Sequence, residues 1–278
     1  MIVFLNGQFV PEDRAVVSVF DRSFLYGDGL FETVFVCRGR PFRWTQHLER
    51  LHHGAEFLGL QLPLTEAALG KAARELIALN ALPDGLLRVT LSRGVGLRGY
   101  SPRGADRPTL VMSLHPLPGV KEAARGWRLV TSARRLPAGE ALAQYKTANK
   151  LAQILARAEA DAVGADEALL LNTDGLVIEG ASSNLFWIQA GTVCTPPITS
   201  GVLAGITRGV VLELGRELAL PVQETTVTQV ELRRAEGVFL TLSSSGVVAA
   251  AELDGVPLAQ SPLAEKLHRA YEERLARE

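Results

Sequence analysis

Residues 175–187 read Gly175-Leu176-Val177-Ile178-Glu179-Gly180-Ala181-Ser182-Ser183-Asn184-Leu185-Phe186-Trp187, and this stretch narrows the fold more than any other. An apolar run, Leu176-Val177-Ile178, delivers one carboxylate, Glu179, into a patch of small residues, and a second apolar run resumes after Asn184. Short apolar runs bounded by turn residues read as strands. Two readings of Glu179 stand side by side: a carboxylate on a surface turn, or one lying close under a flat ligand because its neighbours are small.

Outward from that stretch, strands and helices alternate. Trp127–Ser132 and Glu167–Leu171 read as strands, the second turning at Asn172-Thr173-Asp174-Gly175, and an Ala- and Leu-rich helix is predicted over Ala148–Val163. Downstream, Asn184–Gln189 and Thr192–Thr195 form a hairpin about Ala190-Gly191. Ile206–Leu220 reads as an apolar helix, Pro221–Val227 and Gly237–Leu242 as strands, and Ala251–Gly255 as a turn, while Ser261 caps a charged amphipathic final helix.

The first part of the chain is built differently. Ile2–Val10 alternates about Asn6-Gly7 as a hairpin does, and Leu30–Val36, Leu86–Ser92 and Thr109–Leu114 read as strands. Trp44, Leu48, Leu51, Ala55 and Leu58 recur at helical spacing, and a second helix runs from Thr65 to about Leu79. At His115-Pro116-Leu117-Pro118-Gly119 all periodicity stops. The predicted organisation is therefore two α+β domains, residues 1–115 and 125–278, joined by a linker at 116–124.

Composition excludes several functions. With 47% hydrophobic and 21% charged residues the chain is of ordinary globular type. Lys plus Arg number 29 against 30 Asp plus Glu, a net charge of −1 that offers no basic field to nucleic acid. No apolar run approaches the ~20 residues that cross a bilayer, and Met1–Arg14 lacks the marks of a signal peptide, so a cytoplasmic protein without membrane partners is expected. Cys37 and Cys194 have neither disulfide nor zinc spacing, and no metal is expected. There is no GxxxxGK[ST], GxSxG or HExxH.

Four runs remain that could carry chemistry. Lys146, in Gln144–Lys150, stands just before the Ala-rich helix; most lysines are solvated, but one desolvated at a helix start can form a Schiff base. Glu179 is the second. Gly201-Val202-Leu203-Ala204-Gly205-Ile206-Thr207-Arg208 is a glycine-bracketed loop opening a helix, either an ordinary cap or an anion site. Thr241–Gly246 sets hydroxyls after a strand, where they bind an anion or bond their own backbone.

Taken together these runs resemble the class IV pyridoxal-phosphate enzymes, the fold-type-IV family of branched-chain aminotransferases, D-amino-acid aminotransferases and aminodeoxychorismate lyases. YGDGLFET (26–33), HLERL (47–51), YKTANKL (145–151), EGASSNLFW (179–187), LAGITR (203–208) and the serine run follow the family's order over nearly the whole chain. The resemblance implies a smaller N-terminal α/β domain and a larger C-terminal cofactor-binding domain with a β-barrel-like sheet and flanking helices. It implies pyridoxal 5′-phosphate as cofactor, Lys146 as the Schiff-base lysine and catalytic base, and Glu179 as partner of the pyridine nitrogen. Arg50, the backbone of Ile206 and Thr207, and the Ser244 hydroxyl would hold the phosphate, a list coherent with what a dianion needs. It also implies a homodimer.

Substrate residues divide the relatives. Ser92–Ser101 is similar to the RGxGxRGYS stretch of the lyases, and it also aligns with the Arg-x-His carboxylate trap of D-amino-acid enzymes, with Tyr100 in place of the histidine. Arg98, aided by Tyr100, is thus the expected anchor of the substrate carboxylate, the alternative being a solvated loop arginine. Phe31 stands where many D-amino-acid enzymes carry tyrosine. The resemblance therefore implies a transaminase that takes a small amino acid or amine as donor and a 2-oxo acid as acceptor. The alternative it leaves is a lyase that releases pyruvate and 4-aminobenzoate from 4-amino-4-deoxychorismate.

Overall fold

The structure is a computed structural model that describes residues 1–117 and 126–278. Residues 118–124 of the expected linker lie outside the described residues. The chain divides into two compact units, one of Met1–Pro118 with Tyr145–Asn149 and Glu278, the other of Gly119–Gln144 with Lys150–Arg277.

In the first unit the strands are β1 (Ile2–Leu5), β2 (Gln8–Pro11), β3 (Gly29–Cys37), β4 (Arg40–Pro41), β5 (Gly85–Ser92) and β6 (Thr109–His115), ordered β2-β1-β6-β5-β3-β4 in one antiparallel sheet. The helices are α1 (Arg22–Tyr26), α2 (Trp44–Leu58) and α3 (Glu66–Leu79). Strand β3 alternates strictly: Leu30, Glu32, Val34 and Val36 are buried, whereas Phe31, Thr33 and Phe35 on the opposite face are half-buried. Helix α2 packs against β3, and α3 against β1 and β6. The core so formed includes Val34, Leu48, Leu51, Leu76, Leu87 and Leu110, and burying each such side chain contributes about 1.5–3 kcal/mol. Thr65 caps α3 by accepting from the Ala68 N–H.

In the second unit the strands are β7 (Trp127–Leu136), β8 (Glu167–Asn172), β9 (Leu176–Gly180), β10 (Asn184–Gln189), β11 (Thr192–Thr195), β12 (Val222–Glu224), β13 (Val227–Thr228), β14 (Gly237–Leu242), β15 (Gly246–Leu253) and β16 (Val256–Pro257). The helices are α4 (Leu151–Ala162), α5 (Ile206–Glu217), α6 (Gln229–Leu232) and α7 (Pro262–Arg277). Strands β10, β14, β15, β7, β8 and β9 pair in that order, and β9 pairs back to β10 through Glu179 and Asn184, which closes a barrel-like ring. Its interior is apolar, with Leu169, Leu185, Trp187, Leu240 and Leu253 buried together. The mixed α+β architecture is the one the sequence predicts, and the barrel-like sheet in the larger unit is the one the resemblance implies.

Three elements differ from the sequence expectation. Helix α4 begins at Leu151 instead of Ala148, because Tyr145–Asn149 is drawn into the first unit, although the predicted boundary puts it in the second domain. There the Lys146 carbonyl accepts from the Phe31 N–H and the Ala148 N–H donates to the Gly29 carbonyl, so the segment fills the edge of β3 that β4 leaves open. The predicted strand Pro221–Val227 is split, since its first part, β12, pairs with β11 whereas Val227 opens β13, which pairs with β9. The turn expected over Ala251–Gly255 tightens to Asp254-Gly255, because β15 keeps pairing as far as Leu253. Among the described residues, no helix is long and apolar enough to cross a membrane.

Candidate active site

Functional side chains gather in three places, two in the first unit and one in the second. The first is the Lys146 corner. Two backbone hydrogen bonds to β3, at Phe31 and Gly29, fix the chain around Lys146. Its Nζ lies 4.6 Å from the centroid of the Phe31 ring, and the Arg88 guanidinium carbon lies 4.0 Å from the same centroid. Arg88 projects from β5 opposite Thr33, on the same sheet face as Phe31, and burial pushes its pKa down. An aromatic face attracts cations most strongly where water is scarce, so this ring orients both side chains.

The opposite face of β3 carries a buried charge cluster. Glu32 accepts from Arg50 Nε at 2.8 Å and Arg50 Nη2 at 2.6 Å, and its Oε2 lies 2.6 Å from His47 Nδ1. Arg50 and His47 stand on one side of α2, three residues apart, so one carboxylate receives both. Burial by itself would raise the Glu32 carboxyl, but the Arg50 charge and hydrogen bond, joined by His47, outweigh it and hold the pKa at about 2. Burial pushes His47 below its ordinary value against the pull of Glu32, and the charges of Arg50 and Lys146 act in the same direction as burial. Two of the five N–H donors of the Arg50 guanidinium are thus committed to Glu32.

The third place is built where the barrel-like ring closes. Glu179 Oε2 accepts from the Leu203 N–H at 3.1 Å and from Asn184 Nδ2 at 3.3 Å, and the same amide donates to the Leu203 carbonyl at 2.9 Å. Asn184 therefore locks the loop before α5 to the carboxylate. Gly205 is the N-cap of α5 and offers no side chain to it, and among the described residues no acceptor takes the Ile206 or Thr207 N–H. A Cβ at Gly205 would stand 1.9 Å from Asn184 Oδ1, so only glycine fits this approach. On β14, Thr241 pairs with Asn184, and its buried hydroxyl has no hydrogen-bond partner among the described residues. Ser244 lies in the turn between β14 and β15, its hydroxyl 3.5 Å from that of Ser245, and α5 packs against β14.

Arg98 and Tyr100 occupy the loop between β5 and β6. Both side chains are exposed, and the Tyr100 ring meets Tyr26 edge-on with centroids 5.6 Å apart. Within the first unit the structure brings Lys146 to Phe31, and Arg50 to Glu32. It gives Arg98 no hydrogen bond among the described residues. Sequence reasoning passes over Glu32, His47 and Arg88. A signal for Glu32 is present, since it occupies the apolar position between Leu30 and Val34 in a strand of period two.

Comparison with known proteins yields consistent matches. Residues 29–253 match the family model described as amino-transferase class IV. A putative branched-chain-amino-acid aminotransferase of Methanocaldococcus jannaschii is 38% identical over 256 residues, covering 92% of this chain and 88% of the relative. The crystal structure of the branched-chain aminotransferase from the thermophilic archaeon Thermoproteus uzoniensis with norvaline superposes with a TM-score of 0.93 at 30% identity, covering 100% of this chain and 96% of that one. The structure of 4-amino-4-deoxychorismate lyase from Pseudomonas aeruginosa superposes with a TM-score of 0.87 at 35% identity, covering 98% of each chain.

Proposed function

Since the chain belongs to the amino-transferase class IV family and is an aminotransferase, we propose that it moves the amino group of a small amino acid or amine to a 2-oxo acid, with pyridoxal 5′-phosphate attached at Lys146. Enzymes of this class use that cofactor, and the chain carries donor groups of the kinds it needs. Lys146 offers a primary amine for the aldehyde. The Glu179 carboxylate, held by Leu203 and Asn184, suits a protonated pyridine nitrogen. The Ile206 and Thr207 N–H groups at an uncapped helix start suit a phosphate dianion, with Arg50 and the Ser244 hydroxyl as further donors.

When bound, the cofactor supplies an aldehyde that captures amines and a ring that accepts the electron pair left on the substrate Cα. The chain does the rest. Once the donor amine displaced it from the aldehyde, Lys146 Nζ would take the Cα proton and hand it across the amine nitrogen to the former aldehyde carbon, Glu179 would keep the ring nitrogen protonated, and Phe31 would hold Lys146 Nζ in place. Arg98, with Tyr100, anchors the substrate carboxylate. Exposed Val16, Val19, Phe20, Phe24 and Leu97 suit an interface with a second copy, and we propose a homodimer in the cytoplasm.

The observation that supports this reading most is Lys146 itself. Its backbone is bonded into β3 and its amine lies on an aromatic face, so it is a fixed amine and not a freely waving surface one. Cleavage of 4-amino-4-deoxychorismate is a second reading, favoured by the Arg98–Tyr100 stretch. One experiment separates them: the yellow holoenzyme is mixed with panels of L- and D-amino acids and, separately, with 4-amino-4-deoxychorismate. Loss of the visible band with formation of a 2-oxo acid supports the transaminase. Release of 4-aminobenzoate with the band intact overturns it in favour of the lyase.

A further inference from the structure

The loop that carries Arg98 and Tyr100 shows its side chains to solvent, yet its backbone is pinned. Arg22 Nη1 donates to the Gly99 carbonyl at 2.9 Å and the Ser101 carbonyl at 3.1 Å, and Nη2 donates to the Tyr100 carbonyl at 3.1 Å. One guanidinium thus gathers three consecutive carbonyls, and it is itself only 3% exposed. Its remaining edge is fixed by Asp28, whose Oδ2 accepts from Arg22 Nε at 2.7 Å. The same oxygen accepts from Arg93 Nε at 2.8 Å, and Arg93 also donates to the Leu58 and Gly59 carbonyls at the end of α2. Charge-assisted bonds of this kind are roughly twice as strong as neutral ones.

Tyr26 completes the clamp. Its ring lies 5.1 Å under the Arg22 guanidinium carbon, its hydroxyl accepts from the Gly99 N–H at 3.1 Å, and its edge meets Tyr100. Gly96 leaves room for the arrangement, because a Cβ there would stand 3.0 Å from Arg22 Cδ. Three bonds to one tripeptide backbone fix where residues 98 and 100 emerge, and this constrains the side chains more than the fold requires of an exposed loop.

We propose that Arg22, seconded by Tyr26, is a positioning residue that sets the reach of Arg98 and Tyr100 and so the enzyme's grip on the substrate carboxylate. The proposal rests on the reading of Arg98 as the carboxylate anchor. Without Arg22 the loop still exists, but its three carbonyls are bound only by water and the Arg98 guanidinium samples many positions. Ordering it then costs substrate affinity and leaves the proton transfer at Lys146 alone.

The test is a double-mutant cycle on the holoenzyme with the best amino donor of the panel. Arg22→Gln is expected to raise the donor KM about tenfold with kcat changed less than about threefold. Arg98→Gln is expected to do the same, and the double variant no more than either single one, because both act through one contact. Dissociation of pyridoxal phosphate from each variant, followed by fluorescence, should stay at the parent value. Tyr26→Phe, which removes only the bond to Gly99, should raise KM severalfold and carries the cycle if Arg22→Gln does not fold. If Arg98→Gln leaves KM unchanged, the anchor reading falls and the proposal with it. If Arg98→Gln raises KM while Arg22→Gln and Tyr26→Phe do not, or add to it fully, Arg22 has no positioning role.

Discussion

The amine of Lys146 rests on the Phe31 ring, 4.6 Å from its centroid, and both residues are tied together again through the backbone, where the Phe31 N–H donates to the Lys146 carbonyl. The chain thereby fixes one lysine twice over, once at its Cα and once at its tip. Removing the tip should spare the backbone tie. Lys146→Ala is expected to melt within a few degrees of the parent and to lack the visible absorbance of a cofactor bound through an amine. A variant that keeps that band would overturn the assignment of Lys146. Phe31→Leu should keep the band and lose about tenfold in kcat, because the amine is then less well oriented.

Glu179 is held in place by a strand pairing and by the Leu203 amide, so its amide replacement changes charge and little else. Glu179→Gln should still bind pyridoxal phosphate, since Ile206 and Thr207 lie on another element. Turnover should fall by two or more orders of magnitude, roughly 3 kcal/mol in barrier, because an unprotonated pyridine is a poorer electron sink. Single-turnover kinetics with the best donor measure it, and near-parental rates would sink the role given to Glu179.

What the sequence disclosed follows from range. The hairpin of β10 and β11 has the limits the sequence predicts, because Ala190 and Gly191, both at positive φ, set the turn locally. Helices α2 and α3 begin where their periodicity starts, at Trp44 and beside the Thr65 cap. What escapes is long-range. Ala148 and Asn149 read as the start of a helix until Gly29 and Phe31, more than a hundred residues earlier, offer the segment before Lys150 a strand edge. Nothing in the sequence singles out Arg22, whose burial depends on the loop at Gly99–Ser101 folding over it. Arg50 is legible through a family motif, but its pairing with Glu32 depends on α2 lying on one face of β3 and not the other.

Acid should reveal that pairing. Glu32 titrates at about 2 in the folded chain against an ordinary 4.5, so the unfolded chain binds its proton first. The stability it contributes is complete above pH 4.5 and is lost as pH falls towards 2. His47, pushed below its ordinary 6.5, acts with the same sign and begins to cost stability below that pH. Thermal melting should therefore fall steadily from neutral pH to pH 4. Glu32→Gln should lower stability at pH 7 by about 3–5 kcal/mol, since it removes the buried carboxylate that Arg50 and His47 share. The variant's melting temperature should also change less with acid than the parent's, and a parallel curve would refute the assignment.

Two glycines at the start of α5, four residues apart, give a matched pair. At Gly205 an added Cβ would meet Asn184 Oδ1 at 1.9 Å, and Asn184 is the amide that ties Glu179 to the Leu203 loop. Gly205→Ala must push that amide aside, which disturbs Glu179 and the open Ile206 and Thr207 N–H groups in a single change. Pyridoxal phosphate should bind at least tenfold more weakly, as read by fluorescence titration of the apoprotein. At Gly209 an added Cβ meets nothing within 4 Å, inside the same helix. Gly209→Ala should leave cofactor binding at the parent value and raise stability by about 0.5–1 kcal/mol, the usual gain of alanine over glycine in a helix. If both substitutions weaken the cofactor alike, the helix as a whole is responsible; if neither does, the start of α5 is not where the phosphate sits.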